Sequence, residues 1–177
     1  AAAWALKARY HMHLSKRDAG AAEKVLNDLQ NAFTSLADQP SFTYEDNINS
    51  NNPLGKFGIG RAGTLGMNRG FVDKMLGKDD PRTFFYVSDV DTLQYFSSTD
   101  AKLVWGANDA SIPFISYVEL KFLEAEAKLR NGAADAEVEA AMREGIIASM
   151  EQIGIAEADY TAYVDANATL AGLTKIG

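Results

Sequence analysis

Tyr117-Val118-Glu119-Leu120-Lys121-Phe122-Leu123-Glu124-Ala125-Glu126-Ala127-Lys128-Leu129-Arg130-Asn131-Gly132 decides how the rest of the chain is read. Val118, Phe122, Ala125 and Leu129 recur at the spacing that puts side chains on one face of an α-helix, with charged residues between them. Ser116 stands where an N-cap is needed. Asn131-Gly132 supplies the two residue types that best tolerate a left-handed C-terminal cap. The run is a helix with both ends marked.

Working outward toward the C-terminus, Val138, Met142 and Ile146, then Ile147 and Met150, form the stripe of a second helix that stops near Gly154. The two helices make a hairpin. Asp159, Tyr160, Tyr163, Val164 and Ala168 predict a further short helix ended by Gly172. At the other end of the chain, Leu6, Tyr10 and Leu14 recur at i, i+4 and i+8, and Ala22, Val25, Leu26, Leu29 and Phe33 form a second stripe. The break at Arg17-Asp18-Ala19-Gly20 is short enough to force an antiparallel return, so residues 1–37 predict a helical hairpin about the size of one tetratricopeptide unit.

Residue usage supports that division. Alanine, the best helix former, appears ten times in residues 1–37 and fourteen times in 125–171, but only four times between. Aromatics are distributed the opposite way, with 13 of 18 in residues 38–124. The middle, 38–111, is therefore expected to be irregular and aromatic-rich. Asn47, Asn49, Asn51, Asn52, Pro53 and repeated glycines between Pro40 and Gly70 favour turns. Residues 68–76 predict a short helix capped by Asn68 that carries Phe71, Val72 and Met75 on one side. Phe84-Phe85-Tyr86-Val87 and Leu103-Val104-Trp105 are β-prone and allow at most a small hairpin. No Gly/Ser- or Pro-rich linker divides the chain, so 1–177 is read as a single, mainly α domain, with residues 112–171 holding the C-terminal helices.

At 177 residues and 47% apolar, the chain can bury a core. A formal charge of −7 lacks the basic footprint of a nucleic-acid binder. No run is long and apolar enough to span a bilayer, and the first residues lack the pattern of a signal peptide, so any targeting segment would lie outside this sequence. Without cysteine there is no disulfide, thiolate nucleophile or Cys-ligated metal.

Gly58-Ile59-Gly60-Arg61-Ala62-Gly63 matches the dinucleotide-binding glycine pattern, but Asn-Ser-Asn-Asn-Pro rather than an apolar strand precedes it. His11 and His13 are two apart on a helix and diverge, which suits one exposed and one packed imidazole rather than a shared metal. Glu119, Glu124 and Glu126 also diverge and read as a salt-bridged helix surface rather than a catalytic carboxylate pair. No Ser/His/Asp arrangement is visible, so no enzyme and no cofactor or metal is expected. Asp80-Pro81-Arg82 reads as a structural clamp: Pro fixes the backbone and the Arg fork can hold a buried carboxylate. The aromatic cluster of Phe84, Phe85, Tyr86, Tyr95, Phe96 and Trp105 is the candidate ligand surface, because flat rings suit the apolar faces of sugars; Trp105, Tyr95, Phe96 and Tyr86 are the candidate contacts.

Taken in order, Ala5-Leu6-Lys7-Ala8-Arg9-Tyr10, Gly70-Phe71-Val72-Asp73, Asp80-Pro81-Arg82, the run 117–132 and Gly145-Ile146-Ile147-Ala148-Ser149-Met150 resemble the SusD-like (SusD/RagB) family of outer-membrane nutrient-binding lipoproteins. The resemblance implies a superhelix of tetratricopeptide-like hairpins supporting an irregular binding face. It implies a non-catalytic, surface-exposed outer-membrane lipoprotein that binds an oligosaccharide or related nutrient for uptake with a SusC-like TonB-dependent transporter. Membrane attachment would run only through a lipid anchor absent from this chain. The segment from Phe84 to Ser111 is shorter than is usual in such proteins, and Met142 stands where an aromatic is common. A domain incomplete at both ends is the corresponding expectation. The alternative reading is a generic tetratricopeptide-like scaffold for protein–protein interaction.

Overall fold

The computed structural model describes residues 1–61, 63–93 and 105–171. They divide into two units: residues 1–40 with 113–177, and residues 41–112.

In the first unit, α1 (Ala2–His13) and α2 (Ala21–Leu29) pack as a hairpin. The sequence 117–132 forms α6 (Tyr117–Arg130), which packs on α1, α2 and α7 (Asp135–Gln152); α8 (Glu157–Asn167) packs on α7. The caps follow the expected chemistry. Ser116 accepts a hydrogen bond from the Glu119 N–H at 3.1 Å, and Gly132 and Gly154 take φ of +76° and +79° after α6 and α7. Tetratricopeptide-like helical hairpins thus account for both ends of the chain.

The buried faces differ from the predicted stripes. On α1 the core side is Ala5, Ala8 and Met12, whereas Tyr10 is 65% and Leu14 43% exposed. On α6 it is Leu120, Ala125 and Ala127, while Phe122 lies half-exposed across Gly145 of α7. The reason is steric. Because α6 has neighbours on two sides, small residues are buried where backbones approach closely. Ala127 joins Ala8, Met12, Ala22 and Val25, and Ala125 joins Val138 and Ala141 on the other side. Large side chains fill the remaining space: Leu120 packs with Ala5, Phe33 and Ile115, and Met150 with Ile146, Tyr160 and Val164.

Charged residues join these helices. Asp28 of α2 is buried; its carboxylate lies 3.0 Å from Lys7 Nζ and 2.6 Å from His11 Nδ1 of α1. His13 is exposed, so the two histidines diverge as their spacing predicts. Arg9 grips Glu119 with two hydrogen bonds of 2.5 and 2.7 Å, and Glu126 pairs with Arg130. Lys121 bonds Glu124 and, at 2.5 Å, Glu144 of α7; Glu124 also holds Lys128 at 2.6 Å. Burial opposes the charges on Lys121 and Glu124, but hydrogen bonds to Glu124 and Glu144 hold the Lys121 pKa above its ordinary value, and hydrogen bonds from Lys121 and Lys128 hold the Glu124 pKa below its own. The three glutamates therefore form a salt-bridged surface.

The second unit holds α3 (Pro53–Gly60), α4 (Arg69–Leu76) and α5 (Thr83–Tyr86). Ser41–Phe42 (β1) and Ile112–Pro113 (β2) pair as a two-stranded sheet. Two expectations are corrected here. The glycine-rich stretch contains a helix, because Asn52 caps it by accepting from the Leu54 N–H at 2.9 Å and Pro53 takes the first helical position. Gly58 and Gly60 lie in the last turn of that helix. Phe84-Phe85-Tyr86 is helical rather than a strand, since hydrogen bonds at Asp80 start a helical turn that overrides β propensity. Leu103 and Val104 lie outside the described residues.

Candidate functional site

Three aromatic side chains from separate elements of the second unit meet edge to face. The Phe71 and Tyr86 ring centroids are 5.8 Å apart at 89°, and those of Tyr86 and Trp105 are 6.5 Å apart at 68°. Phe71 comes from α4, where Asn68 caps the helix by accepting from the Phe71 N–H at 3.2 Å. Val72 and Met75 are buried, which leaves Phe71 on the outer side, 40% exposed.

Tyr86 is positioned by the turn before α5. The Asp80 N–H donates to the Met75 carbonyl at 2.9 Å, tying the turn to the last turn of α4. The buried Asp80 carboxylate accepts from the Arg82 backbone N–H and Nε, each at 2.9 Å, and from Arg82 Nη2 at 2.6 Å. The Asp80 carbonyl accepts from Thr83 N–H at 3.0 Å and Thr83 Oγ1 at 2.7 Å. Asp80 thus holds both the charge of Arg82 and the backbone that begins α5, with Pro81 fixing φ between them.

Trp105 is held by its backbone. Its φ of +60° is the left-handed conformation that bulky residues avoid, at an expense of roughly 1–2 kcal/mol. Asn52 offsets this. Its Nδ2 donates to the Trp105 carbonyl at 3.1 Å and to the Ala110 carbonyl at 3.3 Å, and its N–H donates to the Asn108 carbonyl at 2.6 Å. One buried side chain therefore caps α3 and clamps the 105–110 loop. Gly55 allows the close approach: a Cβ there would stand 2.7 Å from the Ala107 oxygen.

Of the sequence-predicted ligand residues, Tyr86 and Trp105 are brought together, while Tyr95 and Phe96 lie outside the described residues. Asp80, Pro81 and Arg82 sit in the turn that carries Tyr86. Phe71, Asn52 and Gly55 were missed as site residues. The Asn52-Pro53 pair is a cap followed by a first-turn proline and could have marked α3; nothing local marks Gly55 as a contact point. The rings can stack on an apolar ligand face, and the Tyr hydroxyl and Trp N–H add polar tips. Among the described residues no cluster of three or more His, Asp or Glu could hold a metal ion.

A separate cleft of about 180 Å³ lies within the first unit, lined by Leu29, Phe33, Tyr117, Leu120, Lys121 and Glu124. Its ammonium is already engaged by two carboxylates.

A SusD-like family model described as "Starch-binding associating with outer membrane" matches residues 2–176. A solved SusD/RagB family protein from Bacteroides thetaiotaomicron VPI-5482 is similar at 27% identity and a TM-score of 0.62, covering 93% of this chain and 43% of that one. A SusD homolog from Bacteroides fragilis NCTC 9343 shares the fold at 20% identity and a TM-score of 0.69, covering 93% and 45%. The chain therefore spans less than half the length of these structures. Comparison with curated proteins returns no match.

Proposed function

The chain belongs to the SusD-like family, and from that membership we propose that it is a non-catalytic glycan-binding part of a surface-exposed outer-membrane lipoprotein, working with a SusC-like TonB-dependent transporter in oligosaccharide uptake. The ligand rests against Tyr86 and Trp105, with Phe71 extending the aromatic surface; Tyr95 and Phe96 are further contacts. The observation that supports this reading is the edge-to-face chain of Phe71, Tyr86 and Trp105, whose last member is held in a strained backbone conformation. Strain that a buried clamp must sustain is more economically explained by recognition than by core filling, since a core position could use an unstrained residue.

Aromatic contacts suit sugars because a pyranose presents axial C–H groups to a ring face while its hydroxyls remain hydrogen-bonded elsewhere. A passive site also suits uptake, because a ligand that must be passed on cannot be held too tightly or cleaved before transfer.

The test is a glycan array followed by titration calorimetry on the best ligand. Trp105→Ala and Tyr86→Ala are each expected to weaken binding about tenfold, equivalent to about 1.4 kcal/mol, with no release of reducing ends. Unchanged affinity in both variants, with their folds retained by circular dichroism, would remove these rings from the ligand site.

A further inference from the structure

Asn52 is 2% exposed, and each of its polar groups has a partner within the second unit. Its N–H donates to the Asn108 carbonyl at 2.6 Å, and its carbonyl accepts from the Lys56 N–H at 2.9 Å. In the side chain, Oδ1 accepts from the Leu54 N–H at 2.9 Å, while Nδ2 donates to the Trp105 and Ala110 carbonyls at 3.1 and 3.3 Å. Only one amide orientation satisfies this set. The reverse would aim the amide nitrogen at the Leu54 N–H and an oxygen at two carbonyls.

Capping α3 does not by itself require asparagine. Serine, threonine and aspartate offer the same acceptor and also cap helices, but none of them brings two further donors. Of these capping side chains, asparagine alone meets both demands, so its donors serve the 105–110 loop and not the helix.

The shape of the loop explains the need. Trp105 begins it at a φ of +60°, where a bulky residue is strained, and Gly55 lets the backbone of α3 lie close against Ala107. Within the loop the Ala110 N–H donates to the Ala107 carbonyl at 3.2 Å, so the two carbonyls that Nδ2 holds lie at the start and the end of a closed turn. An exposed bond from Asn108 Nδ2 to Asp46 at 2.9 Å adds a hold that water can replace.

We propose that Asn52 is a positioning residue for glycan recognition: its amide donors keep Trp105 in the strained conformation that meets the ligand, and they influence affinity only through that ring. This rests on the reading that Trp105 contacts glycan. Asn52 itself touches no ligand. A loop that is already held loses little freedom when glycan arrives, so the clamp removes an ordering cost from the binding step.

Asn52→Ser keeps an acceptor for the Leu54 N–H and removes both donors; Asn52→Asp does the same with a closer shape. Circular dichroism checks the fold of each. The probe is the tightest binder among maltohexaose, cellohexaose, xylohexaose and mannohexaose, titrated calorimetrically against the full chain. Asn52→Ser is expected to weaken binding about fivefold. With Trp105→Ala already present, the same change is expected to alter affinity by less than about twofold. In a Trp4→Phe background, where Trp105 is the remaining tryptophan, its emission is expected to shift in Asn52→Ser. A residue that merely stabilised the fold would lower the urea midpoint and leave the affinity of folded chains alone. Undiminished affinity in both Asn52 variants, equal losses with and without Trp105, or failure of both variants to fold overturns the proposal and leaves the aromatic site standing. Undiminished affinity in Trp105→Ala, or no binding of any probe, instead removes the ligand reading beneath it.

Discussion

Replacing Gly55 by alanine tests how the aromatic site is held, because two effects oppose each other at that position. Alanine inside a helix is favoured over glycine by up to about 1 kcal/mol, so α3 alone predicts a more stable protein. The structure predicts the reverse. The new Cβ would stand 2.7 Å from the Ala107 oxygen and 3.0 Å from both the Ala107 carbonyl carbon and the Gly106 oxygen. All three are backbone atoms, so no side chain can swing away. Ordinary contact requires a movement of roughly 0.5–1 Å, and the loop that must move is the one Asn52 clamps at 3.1 and 3.3 Å. Stretching those bonds by that amount takes them beyond useful hydrogen-bond range. Their loss amounts to about 1 kcal/mol each, and overpacking of this kind typically costs about 1–3 kcal/mol. With the bond losses and the overpacking taken together and the helix gain subtracted, Gly55→Ala is expected to destabilise the chain by about 2–4 kcal/mol.

Gly60, also in α3, is the internal control, since a Cβ there meets nothing within 4 Å. Gly60→Ala is expected to be neutral or slightly stabilising, by a few tenths of a kcal/mol. Urea unfolding followed by circular dichroism measures both variants. In a Trp4→Phe background, Trp105 is the remaining tryptophan, and its emission should shift in Gly55→Ala but not in Gly60→Ala. Equal stability of the two variants, with unchanged Trp105 emission, would refute the argument that close backbone approach positions the site.

Two other changes probe the helical unit. Ala8→Leu inserts three heavy atoms where α1, α2 and α6 meet and is expected to lower stability by about 1–3 kcal/mol in urea unfolding; a gain from the added apolar surface would contradict the small-residue packing. Glu124→Gln is expected to lose about 1 kcal/mol at pH 7. Glu124 has a depressed folded-state pKa, so its contribution is present above the unfolded value near 4.3 and lost as pH falls through the lower folded value. The difference between wild type and variant should therefore close at acid pH; a gap that is equal at pH 7 and pH 3 would mean that charge is not its cause.

The helices were legible in the sequence because their ends are written in local chemistry, as at Ser116, Gly132 and Gly154. Their buried faces were not. Counting large apolar residues selected Leu6, Tyr10 and Leu14, but close helix approach selected Ala5 and Ala8, whose small size carries no strong hydrophobic signal. Asp28 was unreadable for a related reason: its burial depends on Lys7 and His11 arriving from another helix. In the middle of the chain, β propensity misread Phe84-Phe85-Tyr86 because hydrogen bonds centred on Asp80 impose the helical turn. The aromatic candidates were visible by composition alone, yet only distances between elements could pair Tyr86 with Trp105 and add Phe71.

The anchors at this site act on backbone rather than on rings. Asn52 binds the carbonyl of Trp105, Asn68 accepts from the amide of Phe71, and Asp80 fixes the turn from which Tyr86 emerges. None of these contacts depends on which side chain occupies position 71, 86 or 105. Placement and recognition are thereby separated: the polar clamps hold three Cα positions, and the side chains mounted there make up the proposed ligand surface. Exchanging Tyr86 for phenylalanine or Trp105 for tyrosine should then alter ligand preference while the clamps persist, whereas Asn52→Leu should displace the loop even with every aromatic retained. If the proposed ligand surface is built this way, its specificity can change by substitution without its support being rebuilt.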